Sequence, residues 1–261
     1  MNMNEFPKCR ICEARPEEQF VRANNVYGDN EGNYKFYQCR TCDLVYLWPL
    51  PSEEQEKYFY ANEFEKYMGN RSGKDRDWSG PDAHKKSNLD NMKRRIKFLE
   101  KYLIKGKSIL EIGCSSGFMM DKFRELGLKT VGIEPSGGFT NYLKEMGHEV
   151  YNSMDELRSL CKMKFDIVIS FFVLEHIRDT KIFLLDQLKL IKENGIVIAE
   201  VPCVNDPLTS LYDILAFEDF YWSIAHHYYF CPKSISIVLD QLNCVYEIIP
   251  EQRYDLSNHL I

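Results

Sequence analysis

Long hydrophobic runs are missing from this chain. No stretch reaches the ~18 apolar residues that span a bilayer. The longest apolar run, Ile167 to Leu174, has the length of a buried strand, so no membrane insertion is expected. Met1 to Arg10 lacks the apolar segment of a signal peptide, and a cytoplasmic location is expected. An excess of positive charge is missing too. Lys and Arg number 33 against 39 Asp and Glu, a net charge of −6, which argues against non-specific nucleic-acid binding through a basic surface. Internal repeats and low-complexity tracts are absent. With 44% apolar and 28% charged residues, the 261-residue chain reads as an ordinary globular protein, long enough for one large or two small domains.

The most informative stretch is Ser108 to Phe118, Ser-Ile-Leu-Glu-Ile-Gly-Cys-Ser-Ser-Gly-Phe. An apolar run, Ile109 to Ile112, carries an acid at Glu111. It breaks into a turn built on Gly113, Ser115, Ser116 and Gly117, and a helical pattern follows from Phe118. Strand, glycine-rich turn and helix open a βαβ unit that binds a nucleotide-like ligand. The glycines let the backbone turn sharply and come close to that ligand. Twenty-one residues after Gly113 a second strand ends in Glu134, where a carboxylate can take both hydroxyls of a ribose. A pyrophosphate prefers a helix N-terminus with no carboxylate beside it, whereas Glu111 suits a cationic ligand. G-x-S-x-G also spells a hydrolase elbow, but Asp and His do not follow Cys114-Ser115-Ser116 in a triad context.

Nine cysteines without a signal sequence read as reduced thiols or metal ligands. Four of them form two C-x-x-C knuckles, Cys9/Cys12 and Cys39/Cys42, separated by 26 residues. Each knuckle can put two thiolates on one ion, and the two together close a tetrahedral zinc site. Turn residues and the aromatics Tyr34, Phe36 and Tyr37 lie between them. This is a zinc-ribbon pattern, too small to hold a core without its metal. With every ligand position filled by Cys, the site is expected to be closed and structural.

Residues 1–48 form this module, 49–106 a helical linker and lid, and 107–261 an α/β domain. Ser52 and Gln55 make a capping box for a helix bearing Tyr58, Phe59 and Tyr60. Gly69 to Pro81 reads as a loop or lid, and Ser87 caps the next helix. Leu89, Met92, Ile96, Leu99 and Leu103 give that helix one apolar face, and Lys93, Arg94, Arg95 and Lys97 a solvated one. Strands are expected at Ser108–Ile112, Thr130–Glu134, Glu149–Tyr151, Phe165–Phe172, Ile196–Val201 and Val245–Ile249. Between them lie helices at Met119–Leu126, Gly138–Met146, Met154–Leu160, Lys181–Ile191 and Lys233–Gln241. The alternation implies a doubly wound, mainly parallel, Rossmann-like sheet, with ligands outside the carboxyl ends of its strands.

The pattern E-x-G-x-x-x-G with an acid ending the next strand, Phe171-Phe-Val-Leu-Glu-His176-Ile, and Lys192-Glu-Asn-Gly195 running on to Pro202 together resemble the class I S-adenosylmethionine-dependent methyltransferases. Ser115 stands where that family has its middle glycine. With the four-cysteine module, the chain resembles sugar and natural-product methyltransferases, among them nucleotide-sugar C-methyltransferases with a cysteine-rich N-terminal domain. The resemblance implies S-adenosylmethionine and zinc as cofactors. The first would be bound by Glu111, Gly113, Ser115, Gly117 and Glu134, with Asn152, Ser153 and Met154 near the adenine and Phe171 beside it. It places His176 and the pair His226–His227 around the acceptor, as candidates for the catalytic base, with Glu175, Tyr58, Tyr60, Tyr221 and Trp222 lining the acceptor's place. The family's Glu is not at the equivalent spot, and the C-methylating relatives continue beyond where this chain stops. The first bears on which residue is the base, and the second favours O-methylation, which needs one base only.

Methyl transfer from a sulfonium is an in-line displacement that asks the protein to align the reactants and take a hydroxyl proton. A histidine base contributes ~10²–10⁴-fold. The expected acceptor is a small, nucleotide-linked or phosphorylated carbohydrate of surface-polysaccharide or natural-product biosynthesis. Alternatives are sugar C-methylation, nucleic-acid methylation and a non-catalytic cofactor-binding domain. The second would want a basic face, and the Asn/Asp-Pro-Pro-Tyr/Phe signature of base N-methylation is missing. Structural roles compete for several residues: packing for Tyr58 and Tyr60, a strand-end hydrogen bond for His176. On a strand only one of His226 and His227 can face the site. His84, His148 and His259 are expected in solvent, and Cys114, Cys161, Cys203, Cys231 and Cys244 as buried small hydrophobes. Oligomeric state is not legible.

Overall fold

The structure, a computed structural model, describes residues 6–72, 80–210 and 215–251. In chain order its strands are β1 (Gln19–Ala23), β2 (Lys35–Cys39), β3 (Val45–Trp48), β4 (Ser108–Ile112), β5 (Lys129–Ile133), β6 (Glu149–Tyr151), β7 (Phe165–Phe171), β8 (Ile191–Glu200) and β9 (Tyr228–Tyr229). The α-helices are α1 (Glu53–Asn62), α2 (Phe64–Ser72), α3 (Pro81–Ser87), α4 (Leu89–Leu99), α5 (Phe118–Glu125), α6 (Gly137–Glu145), α7 (Met154–Leu160), α8 (Thr180–Leu188), α9 (Pro207–Ser210), α10 (Leu215–Tyr221) and α11 (Pro232–Leu239). The chain divides into two units that are discontinuous in sequence, whereas the division expected from sequence is linear. One comprises Met1–Leu50, Leu174–Leu185 and Val201–Ile261, the other Pro51–Val173 and Asp186–Glu200.

The second unit carries a five-stranded sheet in the order β6-β5-β4-β7-β8, parallel throughout and flanked by helices. Every residue of β4 is buried, as expected of a parallel strand covered on both faces. On one side Ile109, Ile167 and Ile169 pack with Leu99, Phe118, Met119 and Phe123. Cys114, Met120, Leu143 and Val150 form a second cluster. From β4 the chain first winds one way, to β5 and β6, and then the other, to β7 and β8. The strand order therefore reverses beside β4, the place where such sheets bind ligands.

The first unit holds an antiparallel sheet in the order β1-β2-β3-β9. Its core joins Phe36, Val45 and Leu47 to Leu208, Trp222 and Tyr229. The N-terminal hairpins thus borrow both a strand and much of their core from residues beyond 200.

Several local expectations are corrected. The strand expected over Val245–Ile249 is irregular, and Val245 is fully exposed; an apolar run without a partner edge makes no ladder. β8 begins at Ile191, five residues early, and α8 stops at Leu188. Residues 69–72 of the expected lid belong to α2 and Pro81 opens α3, while residues 73–79 lie outside the described ones. Ser87 closes α3, its hydroxyl donating to the His84 carbonyl at 3.0 Å, and Asn88 sits at the start of α4. Ser52 and Gln55 do form the capping box, at 3.2 and 2.7 Å.

Candidate functional site

The loop after β4 is held in a tight coil. The N–H groups of Gly113 and Cys114 both donate to the Ile133 carbonyl, at 2.8 and 3.1 Å. Gly113 and Gly117 have φ of 74° and 75°. A Cβ on Gly113 would come within 2.6 Å of Val173, and one on Gly117 would strike Leu143. Ser115 also sits in the left-handed region, at φ 44°, which explains why a glycine is the commoner choice there. Glu134 knits this loop to the end of β5. One carboxylate oxygen accepts from the Ser115 N–H at 2.7 Å, the other from the Ser136 N–H at 2.9 Å.

Glu111 is buried, and its Oε2 has no hydrogen-bond partner among the described residues. Burial pushes its carboxyl up to about 8, against the pull of the Arg95 guanidinium. Arg95 itself departs from the solvated face of α4 that the sequence pattern predicts for it. It is buried, donates from Nε to Glu200 at 2.7 Å and lies 4.1 Å from the Phe171 ring centroid. Arg94 joins the same carboxylate at 2.5 Å. Spacing held the signal: Arg95 is three residues after Met92 and four before Leu99, on the apolar face. Glu200, at the end of β8, supplies the charge that makes its burial tolerable.

Asn152, Ser153 and Met154 follow β6. Asn152 donates to Glu156 through its N–H and its side chain, and Ser153 caps α7 by accepting from the Glu156 N–H at 3.1 Å. Tyr58 is exposed on α1, and Tyr60 meets Phe59 edge-on and Phe64 at a tilt. Two histidines expected in solvent are buried instead. His84 Nδ1 meets the Ser116 hydroxyl at 2.7 Å while its ring packs on Phe118 and Phe139, and burial lowers its pKa to about 4. His148 Nε2 pairs with Asp121 at 2.9 Å, and Lys85 reaches the same carboxylate at 2.6 Å. The contacts come from helices distant in sequence, so polar neighbours along the chain gave no sign of them. His259 lies outside the described residues.

In the first unit the four knuckle thiols converge. Cys9 and Cys42 Sγ are 3.6 Å apart, as are Cys12 and Cys39, and all four lie within 4.8 Å of one another. Four thiolates ~2.3 Å from one zinc ion would stand about 3.8 Å apart. Each knuckle ends in a left-handed residue, Glu13 at φ 58° and Asp43 at φ 62°. The hydrogen bond with Cys42 lowers the Cys9 thiol to about 5, and the same bond drives Cys42 upward. Burial lifts Cys12 to about 11. The thiols resist ionising together, which is the condition a divalent cation relieves. Of the other cysteines, Cys114 and Cys231 are buried as expected, Cys161 is half-buried, and Cys203 and Cys244 are exposed.

A second group of side chains gathers in this unit. Glu175 and His176 belong to the single turn Leu174–His176, and His226 and His227 precede β9 in a turn in which both are buried. His176 Nδ1 is 2.6 Å from the Ala225 carbonyl, and its ring meets that of His226 edge-on, centroids 4.7 Å apart. The His227 N–H donates to the Glu175 carbonyl at 2.7 Å. Tyr221 and Trp222, expected around the acceptor, are core residues. Tyr221 donates to the Cys203 carbonyl at 2.9 Å, and Trp222 is 1% exposed between Phe36 and Tyr229.

The sequence matches the family described as a methyltransferase domain over residues 84–247, more than half of the chain. It is similar to a ubiquinone biosynthesis O-methyltransferase of Azorhizobium caulinodans, 30% identical over 102 residues that cover 36% of this chain and 40% of that one. A protein of the same name from Pelagibacter ubique is 29% identical over 115 residues, 41% and 46% of the two chains. The matches thus span less than half the length of these relatives. Among solved structures, a plantazolicin methyltransferase in complex with a triazolic desmethyl analogue and SAH has a TM-score of 0.50 at 13% identity, covering 67% of this chain and 70% of that one; the likeness is one of fold. Every strand of the parallel sheet falls within the matched residues, and the chain belongs to the methyltransferase-domain family, with the Rossmann-like fold of class I S-adenosylmethionine-dependent methyltransferases.

Proposed function

We propose that this protein moves the methyl group of S-adenosylmethionine to a hydroxyl oxygen of a sugar-like small molecule, nucleotide-linked or phosphorylated. The observation that carries the reading is the cofactor loop clasped by Glu134, with the buried Glu111 beside it in the same strand-and-turn. The residues fit the cofactor. Each Glu134 oxygen accepts one backbone N–H, and a carboxylate oxygen has capacity for another donor, here a ribose hydroxyl. Glu111, raised to about 8, is ionised most readily beside a cation. Gly113, Ser115 and Gly117 shape the amino-acid end, Asn152, Ser153 and Met154 border the adenine, and Phe171 packs at the end of β7. When bound, S-adenosylmethionine supplies a methyl group on a positively charged sulfur, ready for in-line displacement.

The acceptor's proton goes to a histidine, His176 or His227, with His226 as the alternative, and Glu175 contacts the acceptor. A neutral imidazole is required, so turnover rises with pH through the ordinary imidazole range of about 6–7. Zinc is held by Cys9, Cys12, Cys39 and Cys42. The names of the O-methyltransferase relatives support oxygen as the methylated atom, and also support a second reading in which the acceptor hydroxyl is not on a sugar. The two are separated by offering the full chain S-adenosylmethionine with pools of nucleotide sugars, sugar phosphates and phenols. S-adenosylhomocysteine release and product mass are followed. Methylation confined to phenols would overturn the sugar reading. Once an acceptor is found, His176→Ala, His226→Ala and His227→Ala are compared. Near-normal turnover in all three would exclude a histidine base.

A further inference from the structure

We propose that Glu175, His176 and His226 form a second metal site, for a divalent transition ion such as zinc, manganese or iron(II). One ligand atom from each lies within 4.8 Å of the others. Donors ~2.0–2.2 Å from a shared ion stand about 3–3.5 Å apart, within reach of small side-chain rotations. Two imidazoles and one carboxylate are borderline donors that suit such ions and leave coordination positions open. That contrasts with the closed set of four thiols near the N-terminus.

The surroundings resemble those of a ligand set more than those of a packing cluster. His176 Nδ1 donates to the Ala225 carbonyl at 2.6 Å, which leaves the lone pair on Nε2. A metal-bound histidine is ordinarily oriented by such a bond from its other nitrogen. The backbone on both sides is pinned. The Glu175 carbonyl accepts from the His227 N–H at 2.7 Å, and the His226 N–H donates to Ser223 at 2.9 Å. Glu175 is 1% exposed and His226 8%. An oxygen of water or of an acceptor hydroxyl would take an open position, where the ion draws its proton off more easily. His227, outside the ligand set, is then left as the proton acceptor. The inference does not depend on the acceptor being a sugar.

Cobalt(II) is the probe, added to full-length protein already loaded with zinc. The expected result is uptake of one further equivalent, with weak d–d absorption and no thiolate-to-cobalt charge-transfer band. Elemental analysis after dialysis should then give two ions per chain. Glu175→Gln and His226→Asn should each abolish the second equivalent and leave the first. Circular dichroism checks that each variant is folded, and the wild-type titration stands without them. No uptake by the zinc-loaded wild type, or uptake unchanged in folded forms of both variants, would overturn the site. No second-ion uptake by protein that still transfers methyl groups would sink this inference and leave the methyltransferase reading intact. A second ion bound by protein that transfers no methyl group would do the reverse.

Discussion

Glu134 accepts from one backbone amide in the loop after β4, Ser115, and from one just beyond its own strand, Ser136, so its loss affects both the loop's shape and the ribose contacts proposed for it. Glu134→Ala is expected to weaken S-adenosylmethionine binding by about 1.5–3 kcal/mol, the range for hydrogen bonds to a charged group; calorimetry showing unchanged affinity would remove the cofactor assignment at its centre. His84 makes a different kind of demand. Its pKa falls from 6.5 to about 4 because the buried imidazole resists charging. The unfolded chain takes up that proton below pH ~6.5 while the folded one does not. The stability it contributes is therefore present above pH ~6.5 and lost as pH falls toward 4, by at most about 3 kcal/mol. His84→Asn should flatten the acid limb of a plot of melting temperature against pH. An unchanged limb would mean that His84 charges freely in the folded protein.

At the scale of elements, α4 is fastened to the end of β8 by an ion pair as well as by its apolar face. Arg95 is 7% exposed and its partner Glu200 20%. Arg94 still meets Glu200 when Arg95 is removed, so the cost stays below the roughly 3–5 kcal/mol of a buried charge left wholly unpaired. Arg95→Ala should lower the denaturant midpoint accordingly, and by more than the loss of an exposed ion pair such as Lys93–Asp90, worth at most about 1 kcal/mol. The cysteine knuckles adjoin the sheet of β1, β2, β3 and β9, since Cys39 ends β2, and with zinc bound as proposed the two are expected to fold together. Cys39→Ser breaks the ligand set between β2 and the second knuckle. It is expected to loosen the whole antiparallel sheet and to erase the near-ultraviolet circular dichroism of Trp222 and Tyr229, which pack against Phe36. A retained aromatic signal would show that the sheet stands without metal.

For the molecule as a whole, the path of the chain has a consequence. The N-terminal hairpins reach their core only through residues beyond 200, since β9 pairs with β3 and Trp222 and Tyr229 fill the space over Phe36. A fragment of residues 1–48 has the four cysteines without that core. It is expected to bind zinc at the knuckles yet show no cooperative thermal transition. A sharp, zinc-dependent transition in the isolated fragment would mean that the ribbon is self-sufficient, as its spacing alone suggests. Among the described residues no helix is long and apolar enough to cross a membrane, in keeping with the lack of long apolar runs.

Sequence alone determined the parallel sheet, the tight loop after β4 and the acid that ends the next strand, and the two cysteine knuckles. Each is written in residues a few positions apart, where backbone sterics and hydrophobic period act: Ile109 to Ile112 as a strand buried on both faces, Gly113 and Gly117 at positive φ, C-x-x-C as a chelating turn. Tertiary structure alone decided the rest. His84 and Arg95 look like surface residues along the chain, and only Ser116 and Glu200, brought in from 32 and 105 positions away, make their burial possible. Tyr221 and Trp222 look like aromatic ligand contacts until β9 closes the core over them. The gathering of Glu175, His176 and His226, separated by 49 residues in the case of the His176–Ala225 bond, likewise has no local signature. Whether a polar side chain faces water or a partner depends on what the fold brings opposite it, and no window of neighbouring residues contains that.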